Sequence, residues 1–343
     1  VAARRIKPIE LALQGGGAHG AFTWGVLDRL LEDERLEIVG ISGTSAGAMN
    51  AVVLADGLMR GGRQGARGRL AHFWRKVSGA APGDVFSAFF GNFSVAGSPL
   101  AWYLDWLGRA FSPYQLNPLD INPLRDILAA EVDFERVRAC DKVKLFVSAT
   151  NVRTGKLKEF RQHELSADAV LASAALPMVF RAVEIDGEAY WDGGYLGNPS
   201  LLPLVADSPA HDLVLVQINP IHRDSVPTTA QEILDRLNEI TFNSSLVKEL
   251  RTLALIQQLL REEGAPPPGG RASLFAQIEA LRMHRIAAEA ELARLGAGSK
   301  MNTAWTFLRR LHNIGRAAAD DWLERNFTHV GRRSTLELAA FLR

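Results

Sequence analysis

Ile38-Val-Gly-Ile-Ser-Gly-Thr-Ser45-Ala-Gly-Ala-Met-Asn-Ala-Val-Val-Leu54 carries the pattern on which the fold turns. The apolar run 38–42 predicts a short buried strand, 43–47 a tight turn, and 46–58 a helix. Within the turn, Gly43-Thr-Ser45-Ala-Gly47 fits Gly-x-Ser-x-Gly. A serine between strand and helix presents its hydroxyl outward. Small neighbours are required because the backbone there is crowded, and the following helix N-terminus favours developing negative charge. The same spacing also serves an ordinary glycine-rich strand–helix turn.

Upstream, Ile9-Glu-Leu-Ala-Leu13 alternates as a strand does, and Ala21 to Leu31 places Phe22, Val26, Leu27, Leu30 and Leu31 on one helical face. Strand–loop–helix–strand–turn–helix is the opening of a parallel α/β sheet. The intervening loop, Gly15-Gly-Gly-Ala-His-Gly20, also matches Gly-x-Gly-x-x-Gly. A dinucleotide site would need an acidic residue at the end of the second strand, about 20 residues on. That strand ends in Ser42, and Glu37 precedes it at the wrong end. The dinucleotide reading therefore fails. Bare backbone at Gly15, Gly16 and Gly17 instead suits an oxyanion hole, in which N–H groups converge on a tetrahedral oxygen.

Downstream, Val143 to Ala149 and Leu213 to Ile218 read as buried strands, and Ala167 to Ala175 as a short helix stopped by Pro177. Asp186-Gly187 marks a hairpin turn between Val183–Ile185 and Glu188–Trp191. The four glycines of 61–68 suggest a loop. Residues 82–123, rich in Phe and Trp, suggest an insertion capping the core, either a lid in contact with lipid or a roof over a pocket. From Thr229 the pattern is helical: a helix to Glu263, a Pro/Gly break at 265–270, then helices over about 272–295 and 302–326. These patterns divide the chain into a domain over 9–220, containing the 82–123 insertion, and a helical extension over 229–343. The extension's apolar stripes read as core.

A serine nucleophile needs a base. The order Ser45, Asp192, His222 superficially suits a hydrolase triad, but that architecture requires several strands before its nucleophile. Only 44 residues precede Ser45, room for about two strands and one helix. The other candidate is a carboxylate. Asp192 lies in Trp191-Asp-Gly-Gly194, where Gly193 and Gly194 allow close backbone approach, although Asp-Gly is equally a turn signal.

Together, Gly15-Gly-Gly-Ala-His-Gly20, Gly43-Thr-Ser-Ala-Gly47 and Asp192-Gly-Gly194 resemble the patatin-like phospholipase family, in that family's order. Ala172-Ser-Ala-Ala-Leu-Pro177 is similar to its small-residue segment ahead of the aspartate, and the resemblance spans about Ile9 to Pro220. It implies a three-layer α/β/α sandwich and a Ser–Asp dyad. Ser45 would be the nucleophile, Asp192 the base, and Gly15–Gly17 the oxyanion loop, with Gly20, Gly43, Gly47, Gly193 and Gly194 shaping the motifs. It implies no metal and no organic cofactor. One departure is His19, where the family often has Arg or Lys. A histidine there titrates near pH ~6.5 unless its surroundings shift it, or simply packs.

The implied substrate is an acyl-ester lipid. Acyl transfer to another alcohol, or lipid binding without turnover, are the alternatives. With 39 basic and 38 acidic residues the chain lacks the basic excess of a nucleic-acid binder. Arg60, Arg63, Arg67, Arg69, Arg75 and Lys76 form a local basic run that suits either anionic lipid or a solvated face. Cys140, the one cysteine, allows no internal disulfide and reads as a small structural residue. No stretch reaches the roughly 18 apolar residues of a membrane span. The first residues have charge but no apolar core of a signal peptide, and residue 1 is not Met, which leaves room for a leader upstream. The expectation is a cytoplasmic protein with at most peripheral membrane contact. The sequence carries no sign of its oligomeric state.

Overall fold

The structure, a computed structural model of the 343-residue chain, describes residues 6–79, 112–207, 210–263 and 272–342. Most of the aromatic insertion expected over 82–123 lies outside the described residues. Eight strands form one mixed sheet: β1 (Lys7–Leu13), β2 (Leu36–Gly43), β3 (Lys144–Asn151), β4 (Leu157–Arg161), β5 (Val183–Ile185), β6 (Glu188–Asp192), β7 (Asp212–Val216) and β8 (Arg282–Ile286). The order is β5-β6-β3-β2-β1-β7-β8, with β4 also paired to β3. Strands β3, β2, β1, β7 and β8 run parallel, whereas β4, β5 and β6 are antiparallel additions. Asp186 and Gly187, at φ 52° and 78°, make the hairpin turn between β5 and β6 that their sequence predicts.

Nine α-helices of five or more residues surround the sheet among the described residues: α1 (Gly20–Glu32), α2 (Ala46–Gly79), α3 (Pro123–Glu131), α4 (Phe134–Arg138), α5 (Ala167–Ala172), α6 (Leu202–Asp207), α7 (Ala230–Glu263), α8 (Ala272–Ala280) and α9 (Trp305–Asn326). The strands feed two separate cores, because successive side chains point to opposite faces. On β7, Val214 and Val216 join the core beneath α1, α2 and α9, while Leu213 and Leu215 join the one beneath α6, α7 and α8. On β3, Leu145 and Val147 take the first side and Phe146 the second. Helix, sheet, helix is the three-layer arrangement implied by the sequence motifs.

Three regions differ from the sequence reading. The break expected over 61–68 is confined to Gly61 and Gly62, where Gly62 takes φ 57° and α2 divides into two helical stretches; residues 63–68 are helical. Several cations of the basic run along α2 have partners. Arg60 pairs with Asp56 at 2.8 Å, Arg67 with Asp28 at 2.7 Å and Arg69 with Glu131 at 3.0 Å, and Arg75 lies over the Trp305 ring. The Arg67 and Arg69 pairs stitch α2 to its neighbours, while Arg60, Arg75 and Lys76 remain exposed.

The expected helix over 272–295 ends at Ala280, and Arg282–Ile286 becomes β8 instead. Its charged residues disguised it. Asp212 of β7 takes up both Arg282 (2.7 Å) and His284 (3.0 Å), so two polar side chains are satisfied at a strand position that otherwise buries Met283 and Ile286. The region after residue 229 thus contributes a strand to the main sheet. Its last helix, α9, packs on α1 where Gly25 and Gly315 let the two backbones nearly touch; a Cβ at either would collide with the opposite chain. Such small-residue crossings bring helix axes close.

Candidate active site

The catalytic candidates sit at the carboxyl ends of the parallel strands, where open α/β sheets place their ligand crevices. Strand β2 ends at Gly43, and Ser45 follows at φ 55°, a conformation a side-chain-bearing residue adopts only when its surroundings impose it. Those surroundings are dense. The Ser45 backbone N–H donates to Ser173 Oγ at 2.8 Å, Thr44 Oγ1 donates to the Gly197 carbonyl at 2.6 Å, and the Gly47 N–H donates to the Thr44 carbonyl at 2.8 Å. Gly47 passes directly over β1, where a Cβ would collide with the Leu13 carbonyl. Similar crowding forbids side chains at Gly43, against Gly47, and at Gly20, against Ala46.

Asp192 closes β6 and is 1% exposed. Its N–H donates to the Ala175 carbonyl at 2.9 Å and the Gly193 N–H to the Ser173 carbonyl at 3.3 Å, so the small-residue segment 172–177 braces serine and aspartate together. Gly193 presses on the Ser148 carbonyl of β3, and Gly194 on the Phe242 ring, which explains the bare backbone after the aspartate. The Asp192 carboxylate accepts a hydrogen bond from the Gly194 N–H at 2.6 Å, and the Ser45 side chain acts on it from beside it. Burial raises its pKa to about 7, against the opposing pull of the Gly194 N–H, Ser45 and the charge of Lys300. The sequence-predicted pair is therefore in contact.

The glycine loop divides its labour. The Gly15 N–H donates to Asn198 Oδ1 at 2.7 Å, and its carbonyl accepts from Asn219 Nδ2 at 3.0 Å, so Gly15 serves as an anchor with its donor already engaged. Gly16 and Gly17 line the same cavity as Ser45 and Asp192. Behind the loop stands a buried set of amides. Gln14 Oε1 accepts the N–H groups of Ile218 and Asn219, both at 2.8 Å, and Gln14 Nε2 donates to Asn243 Oδ1 at 2.8 Å. Interlocking buried amides of this kind restrain the loop, although Asn219 Oδ1 itself has no hydrogen-bond partner among the described residues.

The cavity, about 870 Å³ including its mouth, is walled by Ala46, Met49, Phe73, Trp74, Leu176 and Phe180 on its apolar side. Asn238, Phe242 and Lys300 complete it from α7 and from a 3₁₀ turn, Ala297–Met301. No histidine lines it among the described residues. His222 is 81% exposed beside Asp224. His19 is buried, with Nε2 2.7 Å from Ser299 Oγ, and burial followed by the charge of Lys300 lowers its pKa to about 3. It packs as a neutral ring and does not titrate near 6.5. Cys140 is buried in the core.

Sequence reasoning missed Asn198, Asn238, Phe242 and Lys300. Asn198 carries a faint signal, since it shortly follows the Asp-Gly-Gly motif. The other three come from the helical C-terminal part, with no motif to mark them. No group of three or more His, Cys, Asp or Glu converges as a metal site would among the described residues. Among those residues, no helix is long and apolar enough to cross a membrane.

Comparison with known proteins adds three findings. Residues 11–205 match the model of the patatin-like phospholipase family. Uncharacterised NTE family proteins of Mycobacterium bovis and Mycobacterium tuberculosis are 28% identical over 233 residues, 67% of this chain and 55% of theirs, so the match spans about half the length of these relatives. Among solved structures, VipD of Legionella pneumophila aligns over 92% of this chain and 66% of its own at 17% identity and a TM-score of 0.40. ExoU of Pseudomonas aeruginosa, in complex with SpcU, aligns over 98% and 77% at 17% identity and a TM-score of 0.30. With the family model covering more than half of the sequence, the chain belongs to the patatin-like phospholipase family.

Proposed function

We propose that this protein hydrolyses acyl esters of lipids or lipid-like molecules through an acyl-enzyme on Ser45, with Asp192 as the general base. The observation that carries this reading is the placement of a serine held at φ 55° beside a buried carboxylate, both lining one apolar cavity. Family membership supports a lipid acyl hydrolase in general terms.

Asp192 accepts the Ser45 proton as Oγ bonds to the ester carbonyl carbon. The carbonyl oxygen, now negative, is held by the N–H groups of Gly16 and Gly17; one such donor is commonly worth about 3 kcal/mol. The carbon–oxygen bond to the leaving alcohol breaks, and Asp192 returns the proton to that alcohol. Water then gives a proton to Asp192 and attacks the acyl carbon, releasing the fatty acid and restoring the Ser45 hydroxyl. An aspartate at its ordinary pKa of about 3.9 is too weak for this task. Its elevation to about 7 by burial brings it into the range of an effective base at neutral pH.

Substrate access fits the same picture. Ile233, Leu237 and Ile240 of α7 are 44%, 54% and 50% exposed, on the turns that also carry Asn238 and Phe242 of the cavity wall. Apolar side chains beside a pocket mouth suit peripheral contact with a lipid surface.

The test is labelling by a fluorophosphonate probe, followed by an ester panel from short p-nitrophenyl esters to phospholipid vesicles. Labelling and turnover are expected in the wild type and lost in Ser45→Ala. Absence of both in a folded wild-type protein would overturn the reading. Adding a competing alcohol separates hydrolysis from acyl transfer.

A further inference from the structure

Lys300 lies outside the residues matched by the family model, yet it lines the same cavity as Ser45 and Asp192. Its carbonyl packs so tightly on Gly17 that a Cβ there would collide with it. Next to it, Ser299 holds His19. The Lys300 ammonium donates to Asn238 Oδ1 at 2.7 Å and lies 5.3 Å from the centre of the Phe242 ring. One residue therefore touches the glycine loop with its backbone and directs a cation along the wall that Ser45 and Asp192 share.

The carboxylates around this cation differ in their partners and in their place. On α7, Glu239 is bound by Arg223 and by Arg236 at 3.2 Å. Asp235 accepts the Ala297 N–H at 3.0 Å and the Gln231 amide at 3.0 Å. From the glycine loop, His19 faces Lys300 as a neutral ring. Among the described residues, Lys300 forms no ion pair with any carboxylate, although Glu239, Asp192 and Asp235 all act on it through space. Of these three, Glu239 is paired with cations, whereas Asp235 and Asp192 have neutral donors in contact; Asp192 is the one that lines the same cavity as Lys300.

Resting on the dyad reading above, we propose that Lys300 is a positioning residue for this reaction: its ammonium favours the charged, proton-accepting form of Asp192 and strengthens the positive field at the Gly16–Gly17 loop. Desolvating an ammonium is costly, and here that cost lowers the Lys300 pKa to about 8. The compensation comes when Asp192 is ionised or when an oxyanion forms, the two moments at which the reaction needs a cation nearby. A segment of the C-terminal region thus completes a site whose nucleophile and base lie in the matched domain.

The experiment measures the rate of fluorophosphonate labelling of Ser45 from pH 5 to 9 in the full chain. It compares wild type with Lys300→Met, Lys300→Gln, which keeps a donor for Asn238, and Lys300→Arg, with thermal melts on each. The expected result for both neutral variants is an acidic limb moved upward by at least half a pH unit, with about tenfold slower labelling at pH 7. Lys300→Arg restores the wild-type limb. If the folded neutral variants keep the wild-type limb, or if Lys300→Arg behaves like Lys300→Gln, the assignment is overturned. An unlabelled wild type would instead remove the dyad reading and this inference with it.

Discussion

Asp192 and Asp212 are both buried aspartates on strands of one sheet, yet they sit at opposite edges of it and in opposite electrostatic states. Asp192 lies at the carboxyl edge with neutral donors in contact and is pushed up to about 7. Asp212 starts β7 at the other edge. Burial would raise it too, but hydrogen bonds from His284, Arg282 and the Gly331 N–H, with the Arg282 charge, outweigh burial and hold it down to about 2. Burial alone therefore does not decide what a carboxylate does. The partner set decides, and a base is made by withholding the contacts that would make a strut.

That contrast can be broken most severely at the dyad. Ser45→Ala and Asp192→Asn should each lower kcat by at least about a thousandfold, as removal of a nucleophile or its base does elsewhere. Asp212→Asn should leave kcat within a few-fold at 25 °C. An Asp212 variant as inactive as the Asp192 variant would erase the distinction.

Stability should separate the two residues in the other direction. Because the Asp192 pKa is higher folded than unfolded, its favourable contribution is complete below about pH 4 and is lost as pH rises through about 7. Above that pH the buried carboxylate opposes folding by on the order of 2–4 kcal/mol. Asp192→Asn should then melt several degrees above wild type at pH 8, with the gap closing toward pH 4. Equal melting temperatures at pH 8 would show that the carboxylate is not desolvated.

Asp212→Asn should instead cost about 2–3 kcal/mol at pH 7 by urea denaturation, since Arg282 and His284 lose their shared anion. Its depressed pKa gives stability that is full above about pH 4 and lost as pH falls through about 2. The Asp212 variant's deficit should accordingly shrink in acid.

The mildest test uses pH on the unmodified protein. Below about pH 7, kcat/KM for a neutral ester should fall about tenfold per unit as Asp192 takes up its proton. A profile flat down to pH 5 would deny Asp192 the role of base.

Much of this was legible in the sequence, for a physical reason. Strand ends that carry chemistry need bare backbone, and Gly15–Gly20, Gly43–Gly47 and Asp192–Gly194 write that need as motifs. The opening strand–helix units followed from apolar periodicity. The rest depends on contacts across long stretches of chain. Lys300 meets Gly17 and Asn238 only after the C-terminal part has folded back, and nothing around it in the sequence marks it out. β8 stayed hidden because Asp212, 70 residues before Arg282, neutralises its charges. Arg67 and Arg69 of α2 are hard to place for the same reason: Asp28 and Glu131, their carboxylates, lie on other elements.

The near contact of α1 with α9, through Gly25 and Gly315, has a consequence for the order in which the protein comes into being. During synthesis, Ser45, the glycine loop and Asp192 all leave the ribosome well before Lys300 and α9 exist. A nascent chain that ends near residue 290 holds both members of the dyad but neither the cation nor the Lys300 carbonyl that presses on Gly17. On the proposal made for Lys300, the site is complete only once these later segments are in place. Domains generally fold as units while the chain emerges, so the glycine loop takes up its described packing against the Lys300 carbonyl only after the segment around residue 300 has docked.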